Sequence, residues 1–501
     1  MAPTLVLALA LIALVSFVVV QSLQKKRHTK KHPLPPGPPP LPFVGNVIGI
    51  DPDRPWLAYS RWGTEYGEID IVIINSERVA HDLLDRRSHN YSTRPPGLVH
   101  HLGFFGHDYD SYIVPSSSRT YHVFTDRRIF HEAFHLEAVS SFRPIQMRNA
   151  HSLILNLLAS PEVYGTHFHI FSTAIIISIM YDYAIVPIDD PFVTLIERSL
   201  EIGIKALRPE VTAILTELPI LKKVPPWFPG ASFVRDAIVL RTLAPMIMDI
   251  PFEHVKNNMA AGTAAPSMVS DALKRIPVKT QDEGEAAVQT TSTLYVFLLA
   301  MVLYPEVQTR AQAEIDSVIG ETLERSPDWD DRASMPYVNA IILEMLRWFP
   351  VVPLGIGHAT VNDDIYEGYY IPKGATVIAN TWFMTRNPDK YPNPTRFIPE
   401  RHMSKVAVEE PSTHGPDDVS FAFGFGRRIC VGRHVADASL FAAVVNILTV
   451  FRLERAPGWN VGPDAEGVEW TGGISTHPVF PCIFTPRHTK ERVSQLIKMQ
   501  C

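Results

Sequence analysis

Cysteine is scarce: 3 in 501 residues, at Cys430, Cys482 and Cys501. So few and so scattered thiols exclude a disulfide framework, and the odd count leaves at least one free, which suits a reducing compartment. Charge is also scarce, at 20% of residues against an ordinary ~25%. With 46 Lys and Arg against 52 Asp and Glu the net charge is −6, so no global basic excess points to nucleic acid. Repeats and low-complexity blocks are missing, and disorder or a coiled coil is excluded as the main architecture. What the chain has is apolar mass, 46% of residues, and 43 prolines, well above the usual ~5%. Prolines not gathered in one block imply many ordered turns. The length suggests about three domains, with one large enzyme domain open as the alternative.

No charged side chain occurs before Lys25, and Leu5 to Val20 is almost wholly apolar. At about 1.5 Å per residue, residues 1–23 are long enough to cross a bilayer core of about 30 Å. Lys25, Lys26, Arg27, Lys30 and Lys31 follow at once. Positive charge on that flank alone orients the rest of the chain to the cytoplasm. A cleaved signal peptide is the other reading, but a basic leading region and a small-residue cleavage site are both missing. Residues 24–45 form a basic, proline-rich hinge; Pro33 to Pro42 is stiff and extended because proline fixes φ and removes amide donors. An SH3-type ligand is the alternative use of such a run.

Residues 46–501 read as one large domain, mainly α with minor β. Asp70 to Asn75 suits a short buried strand and Ser76 to Arg87 an amphipathic helix. From Glu132 to Met301 most windows suit helices, broken at Pro187, Pro209 and the corner Pro225 to Gly230. Arg310–Gly320 and Val338–Trp348 are further helices; Ala375–Ala379 and Val479–Phe484 are β-like.

The chemistry-bearing segment is Phe423-Gly424-Phe425-Gly426-Arg427-Arg428-Ile429-Cys430-Val431-Gly432-Arg433. Glycines 424, 426 and 432 clear side chains from around one cysteine, so backbone can approach something large and flat. Ala436 to Val450 reads as an apolar helix, which puts Cys430 just before unpaired amides that favour a thiolate. Arg428 is placed to meet an acidic group of a ligand. A lone buried cysteine is more often a small hydrophobe, and zinc is disfavoured because no second cysteine or Cys/His cluster completes four ligands.

Here the chain resembles the cytochrome P-450 superfamily, the haem-thiolate monooxygenases: Phe423-x-x-Gly426-x-Arg428-x-Cys430-x-Gly432 matches its cysteine-loop signature at every defined position. The resemblance implies haem b (iron protoporphyrin IX) with Cys430 as proximal ligand. Glu344-x-x-Arg347 resembles the family's E-x-x-R helix motif, and Phe397-x-Pro399-Glu400-Arg401 the segment whose arginine, Arg401, completes a structural triad. His358 falls where the family places a haem-propionate contact, an ordinary strand or surface histidine being the other reading. The texture is most like fungal O-methylsterigmatocystin-oxidoreductase-type members. The resemblance further implies NADPH-derived electrons from a cytochrome P-450 reductase, a small hydrophobic substrate, no nucleic acid, and a single-pass endoplasmic reticulum anchor. Arg427 and Arg433 would belong to a reductase-docking face, or are simply a solvated basic face.

The chain also departs from the family. Where an A/G-G-x-D/E-T-T stretch delivers protons to dioxygen, it reads Ala286-Ala287-Val288-Gln289-Thr290-Thr291. Thr290 and Thr291 can stand for the threonines, but an amide at Gln289 cannot carry a proton as a carboxylic acid does. The helix expected to offer Trp-Arg to a propionate has no Trp between Arg119 and Arg128. A strand and its turn look lost near Glu68 to Ile74. Three functions stay in view: an oxygen-inserting monooxygenase, a peroxide-driven enzyme or isomerase, and a non-catalytic haem or ligand-binding membrane protein.

Overall fold

The computed structural model describes residues 54–66, 72–95, 133–183, 190–206, 219–275, 284–403, 419–471 and 475–500, with 32–35, 38, 51, 185 and 215 between them. The expected membrane helix 1–23, most of the hinge 24–45 and the segment 119–128 lie outside the described residues. In chain order the principal elements are α1 (Pro55–Tyr66), β1 (Ile73–Ile74), α2 (Glu77–Ala80) running into a π-turn (His81–Arg86), α3 (Ser88–Tyr91), α4 (Arg143–Ala159) and α5 (Tyr164–Tyr181). Then follow α6 (Pro191–Ala206), α7 (Ser232–Ala261), α8 (Met268–Arg275), α9 (Gly284–Leu303), α10 (Pro305–Ile319) and α11 (Pro336–Trp348). After α11 come β2 (His358–Ala359), β3 (Asp364–Tyr366), β4 (Tyr369–Ile371), β5 (Thr376–Ala379) and α12 (Thr381–Met384). The chain closes with α13 (Arg433–Val450), β6 (Phe451–Arg455), β7 (Glu469–Trp470), β8 (Pro478–Val479), β9 (Cys482–Pro486) and α14 (Lys490–Gln500).

This is the helix-rich architecture with minor sheets that the sequence indicates. Its core forms where α4, α5, α9, α11 and α13 pack together. α9 and α13 are apolar on every side, so each must be enclosed rather than lie on a surface. Leu294 and Val296 through Met301 are fully buried, as is nearly all of Val435 to Val450. Two described helical runs, Pro161–Tyr181 and α13, are long and apolar enough to cross a membrane, but 61% and 83% of them is buried inside the protein. Their hydrophobicity therefore faces the core.

Three strands form the sheet that carries the site, in the order β1-β5-β2, with β1 parallel and β2 antiparallel to β5. The expected strand Asp70–Asn75 is narrower in the structure, pairing only Ile73 and Ile74; Asn75 instead accepts from the Asn380 amide at 2.8 Å. The expected strand Val479–Phe484 is two strands, because Pro481 has no amide to continue a ladder: β8 pairs with β7, and β9 with β6.

Candidate functional site

The cysteine loop is a tight, doubly turned segment. A helical turn at Val419–Phe423 ends at Gly424 (φ +90°), Phe425 is extended, and Gly426 (φ +54°) starts a second turn, Gly426–Arg428. The Cys430 amide then donates to the Phe423 carbonyl at 2.8 Å, closing the loop around a half-buried cysteine. α13 starts at Arg433, three residues earlier than its apolar pattern indicates, so its first-turn amides lie directly beyond Cys430. The three glycines are not equivalent. A side chain at Gly426 would meet the Leu84 carbonyl oxygen at 2.1 Å, whereas at Gly424 the nearest atom is 3.8 Å away. Gly432 has φ −84°, open to any residue.

What presses on Gly426 is the π-turn. Ser76 caps α2, its hydroxyl accepting from Val79 N at 3.5 Å. The helix then widens until Arg87 N donates to Asp82 O, five residues back, a form frequent at functional sites. The widened turn carries Leu84 against the loop, while His81 meets buried Phe425 edge-on at 5.5 Å between centroids. His81 pairs with Asp85 and lies 3.8 Å from Glu77; the hydrogen bond to Asp85, then that to Glu77, raises its pKa to about 9. The single regular helix expected for Ser76 to Arg87 is thus half π-turn. Hydrophobic spacing did not single it out, because the buried positions Val79, Ala80, Leu83 and Leu84 also suit an ordinary α-helical stripe.

The same segment supplies a cationic corner. Arg428 donates from Nε to Ser92 O at 2.8 Å, and buried Arg94 donates to Ile356 O and Gly357 O at 2.6 and 3.0 Å. His358, buried in β2, donates from Nδ1 to Tyr91 O at 2.7 Å. Burial, then the nearby Arg94 guanidinium and more weakly Arg428, pull the His358 pKa down to about 3. It is therefore a neutral imidazole at ordinary pH, with Nδ1–H fixed and Nε2 as an acceptor. Arg94 went unread in the sequence, because its partners lie more than 260 residues away.

Glu344 and Arg347 are fully buried and paired through two hydrogen bonds of 2.8 Å. Arg401 Nε reaches Glu344 at 3.2 Å, and His402, absent from the sequence reading, at 2.9 Å. Arg347 also donates to the carbonyls of Thr385, Pro394 and Arg396 at 2.8–3.0 Å. The cluster thus fastens α11 to the irregular chain that leads toward the cysteine loop.

The two threonines of α9 lie on different sides of the helix. Both are buried. The Thr291 hydroxyl donates to Ser172 Oγ at 2.9 Å on α5, and Ser292 meets Ser475 at 3.0 Å. Thr291 is therefore part of the α5–α9 contact, and Thr290 points about 100° away around the helix. The side chain of Gln289 lies outside the described residues.

The described cysteines differ in surroundings. Cys482 sits in β9, where burial pushes its thiol up to about 12, so it stays protonated. Cys430 stands before a helix N-terminus, in a loop whose glycine admits a neighbour's backbone. Among the described residues no group of three His, Cys, Asp or Glu side chains is placed to hold a metal ion. A soft single sulfur two residues after Arg428, on a loop whose Arg428 also acts on His358 together with Arg94, fits a flat metal macrocycle with carboxylate arms: thiolate for the metal, donors for the acids.

Comparison with known proteins points the same way. The cytochrome P-450 family profile matches residues 284–478. A cytochrome P-450 monooxygenase of Rhodocybe pseudopiperita is 34% identical over 93% of this chain and 91% of its own length. The tryptamine 4-monooxygenase of Psilocybe cyanescens is 32% identical over 95% and 98%. A cytochrome P-450 monooxygenase of Ampulloclitocybe clavipes is 36% identical over 91% and 87%. None of these three bears the O-methylsterigmatocystin-oxidoreductase name, so that finer likeness stays an expectation of the sequence.

Proposed function

The chain belongs to the cytochrome P-450 family of haem-thiolate monooxygenases, and from that premise we propose that it inserts one oxygen atom of dioxygen into a small hydrophobic substrate, using NADPH-derived electrons from a membrane-bound reductase. The observation that carries the reading is the loop of Cys430, closed by its own amide and seated on the Leu84 carbonyl before α13. Haem held through a thiolate supplies dioxygen binding and O–O cleavage, because the sulfur donates electron density to iron.

The chain's own residues do the holding. Cys430 would hold the haem iron through its sulfur, with Phe423, Gly424, Gly426 and Gly432 shaping its loop. Arg428 and Arg94 neutralise the propionates, and His358, kept neutral, contributes Nε2 only as an acceptor or through water. Glu344, Arg347 and Arg401, joined by His402, keep the chain before the loop in register. Thr290 and Thr291 are the candidate oxygen-side groups, and the Thr291 hydroxyl also donates to Ser172. Residues 1–23 anchor the protein in the endoplasmic reticulum membrane, the hinge 24–45 spaces it, and the body faces the cytoplasm. With Gln289 in place of an acid, proton delivery relies on hydroxyl and water, so oxygen activation is expected to be slow or leaky.

The test uses full-length protein with reductase, NADPH and oxygen-18-labelled dioxygen over a panel of apolar compounds. A product carrying one labelled oxygen, with NADPH consumption raised by substrate, is the expected result. Product formed with hydrogen peroxide but never with reductase and NADPH would replace this reading with the peroxide-driven one.

A further inference from the structure

A separate cavity of about 430 Å³ opens between the start of α1, the segment after α11 and the loop before β7, and no residue of the cysteine loop lines it. Its inner wall is aromatic. Phe349 stacks on Trp470 at 4.3 Å between centroids, and Trp56 and Phe349 tilt against Trp382 at 5.8 and 5.3 Å. Arg386 lies in the same wall, its guanidinium carbon 3.1 Å from the Trp382 ring centre and 5.1 Å from that of Phe349. It donates to Trp348 O at 2.9 Å, Thr385 Oγ1 at 3.2 Å and Trp382 O at 3.4 Å, all neutral acceptors. A guanidinium carries more N–H donors than these acceptors take, and among the described residues no carboxylate pairs with it. Asp464 and Glu466 also line the cavity, but both are exposed and belong to its rim.

These features select the ligand. A cationic guest would want the aromatic faces, and Arg386 already covers those of Trp382 and Phe349. An acid that reaches the inner wall meets an enclosed positive charge, where the effective dielectric of about 20 makes attraction about four times what it is in water. The rim carboxylates oppose it only through solvent, which screens them beyond about 8 Å. We propose that this cavity is a second small-molecule site, taking a planar aromatic carboxylic acid whose ring lies among Trp382, Phe349 and Trp470 and whose carboxylate meets Arg386. Such a guest would press on the segment from Phe349 to His358, the far end of which stands in the cationic corner. Thr476, in the cavity wall, already ties this segment down through its amide to Val351 O at 2.7 Å.

Calorimetry on the full-length holoprotein tests this without turnover, run first without and then with a saturating azole on the haem side. Naphthoate is expected to bind at one site with a dissociation constant on the order of 100 μM, a typical efficiency for so small a ligand. It should bind at least tenfold more tightly than naphthylmethylamine. Trp470→Ala and Arg386→Gln should each weaken it about tenfold or more. The exposed pair Asp464→Asn with Glu466→Gln, which leaves the wall intact, should tighten it about twofold. Amine binding equal to or tighter than acid binding would overturn the proposal. So would affinity that ignores Trp470 and the rim pair, or binding that disappears once the azole is present. None of these results bears on whether the haem side oxygenates a substrate.

Discussion

A single missing side chain decides how closely the cysteine loop can be backed. At Gly426 a β-carbon would lie 2.1 Å from Leu84 O and 3.0 Å from its carbonyl carbon, backbone atoms that cannot swing aside. Gly426→Ala is therefore expected to push the loop off the π-turn. At Gly424, alanine meets only the left-handed backbone penalty of about 1–2 kcal/mol. Haem content per protein should fall severalfold in Gly426→Ala and modestly in Gly424→Ala. Equal haem content in the two variants would contradict the close approach as the reason for glycine. His81 adds a dependence on pH. Its folded pKa, about 9, exceeds the unfolded value of about 6.5, so its stabilisation is complete below pH ~6.5 and is lost as pH rises through 9. The side chain is 46% exposed, so solvent keeps the effect small. Between pH 7 and 10 the wild-type Tm should fall further than that of His81→Gln; parallel falls would remove His81 as the cause.

At the scale of elements, the strongest local device is the buried Glu344–Arg347 pair at the end of α11. Breaking a buried pair leaves an uncompensated charge and costs about 3–5 kcal/mol. Arg347→Ala should lower Tm by several degrees and release haem together with it. Arg347→Lys should not rescue, because an ammonium cannot span two carboxylate oxygens and three carbonyls at once. Full rescue by lysine would reduce the cluster to a simple charge pair. The three-residue spacing made Glu344 and Arg347 legible from sequence, since a helix fixes which residues share a face. Their carbonyl partners at Thr385, Pro394 and Arg396, and the added ligand His402, depend on how an irregular chain returns, which no local pattern records. The same divide runs through the fold. The apolar run of α13 was readable as a helix. The π-turn and the placement of Arg94 follow from distant contacts, whereas the split at Pro481 has a local cause, the missing amide.

For the whole molecule, the enclosed apolar helices, the braced cysteine loop and the cationic corner form one arrangement. The core holds α13 in place, α13 sets the amides beyond Cys430, and residues 77–94 support the loop and supply Arg94. Membership of the family and the helical plan could be read from residue pattern alone. The bond from Thr291 to Ser172 could not, because it depends on how α5 packs against α9. All of it rests on sulfur from Cys430 reaching the haem iron. The direct measurement is the reduced carbon monoxide difference spectrum of the haem-loaded full-length protein and of Cys430→Ala. The wild type should show the thiolate-type band and the variant should lack it while still folding, as judged by circular dichroism. Persistence of that band without Cys430, or a wild-type protein that takes up haem yet never shows it, would contradict the assignment.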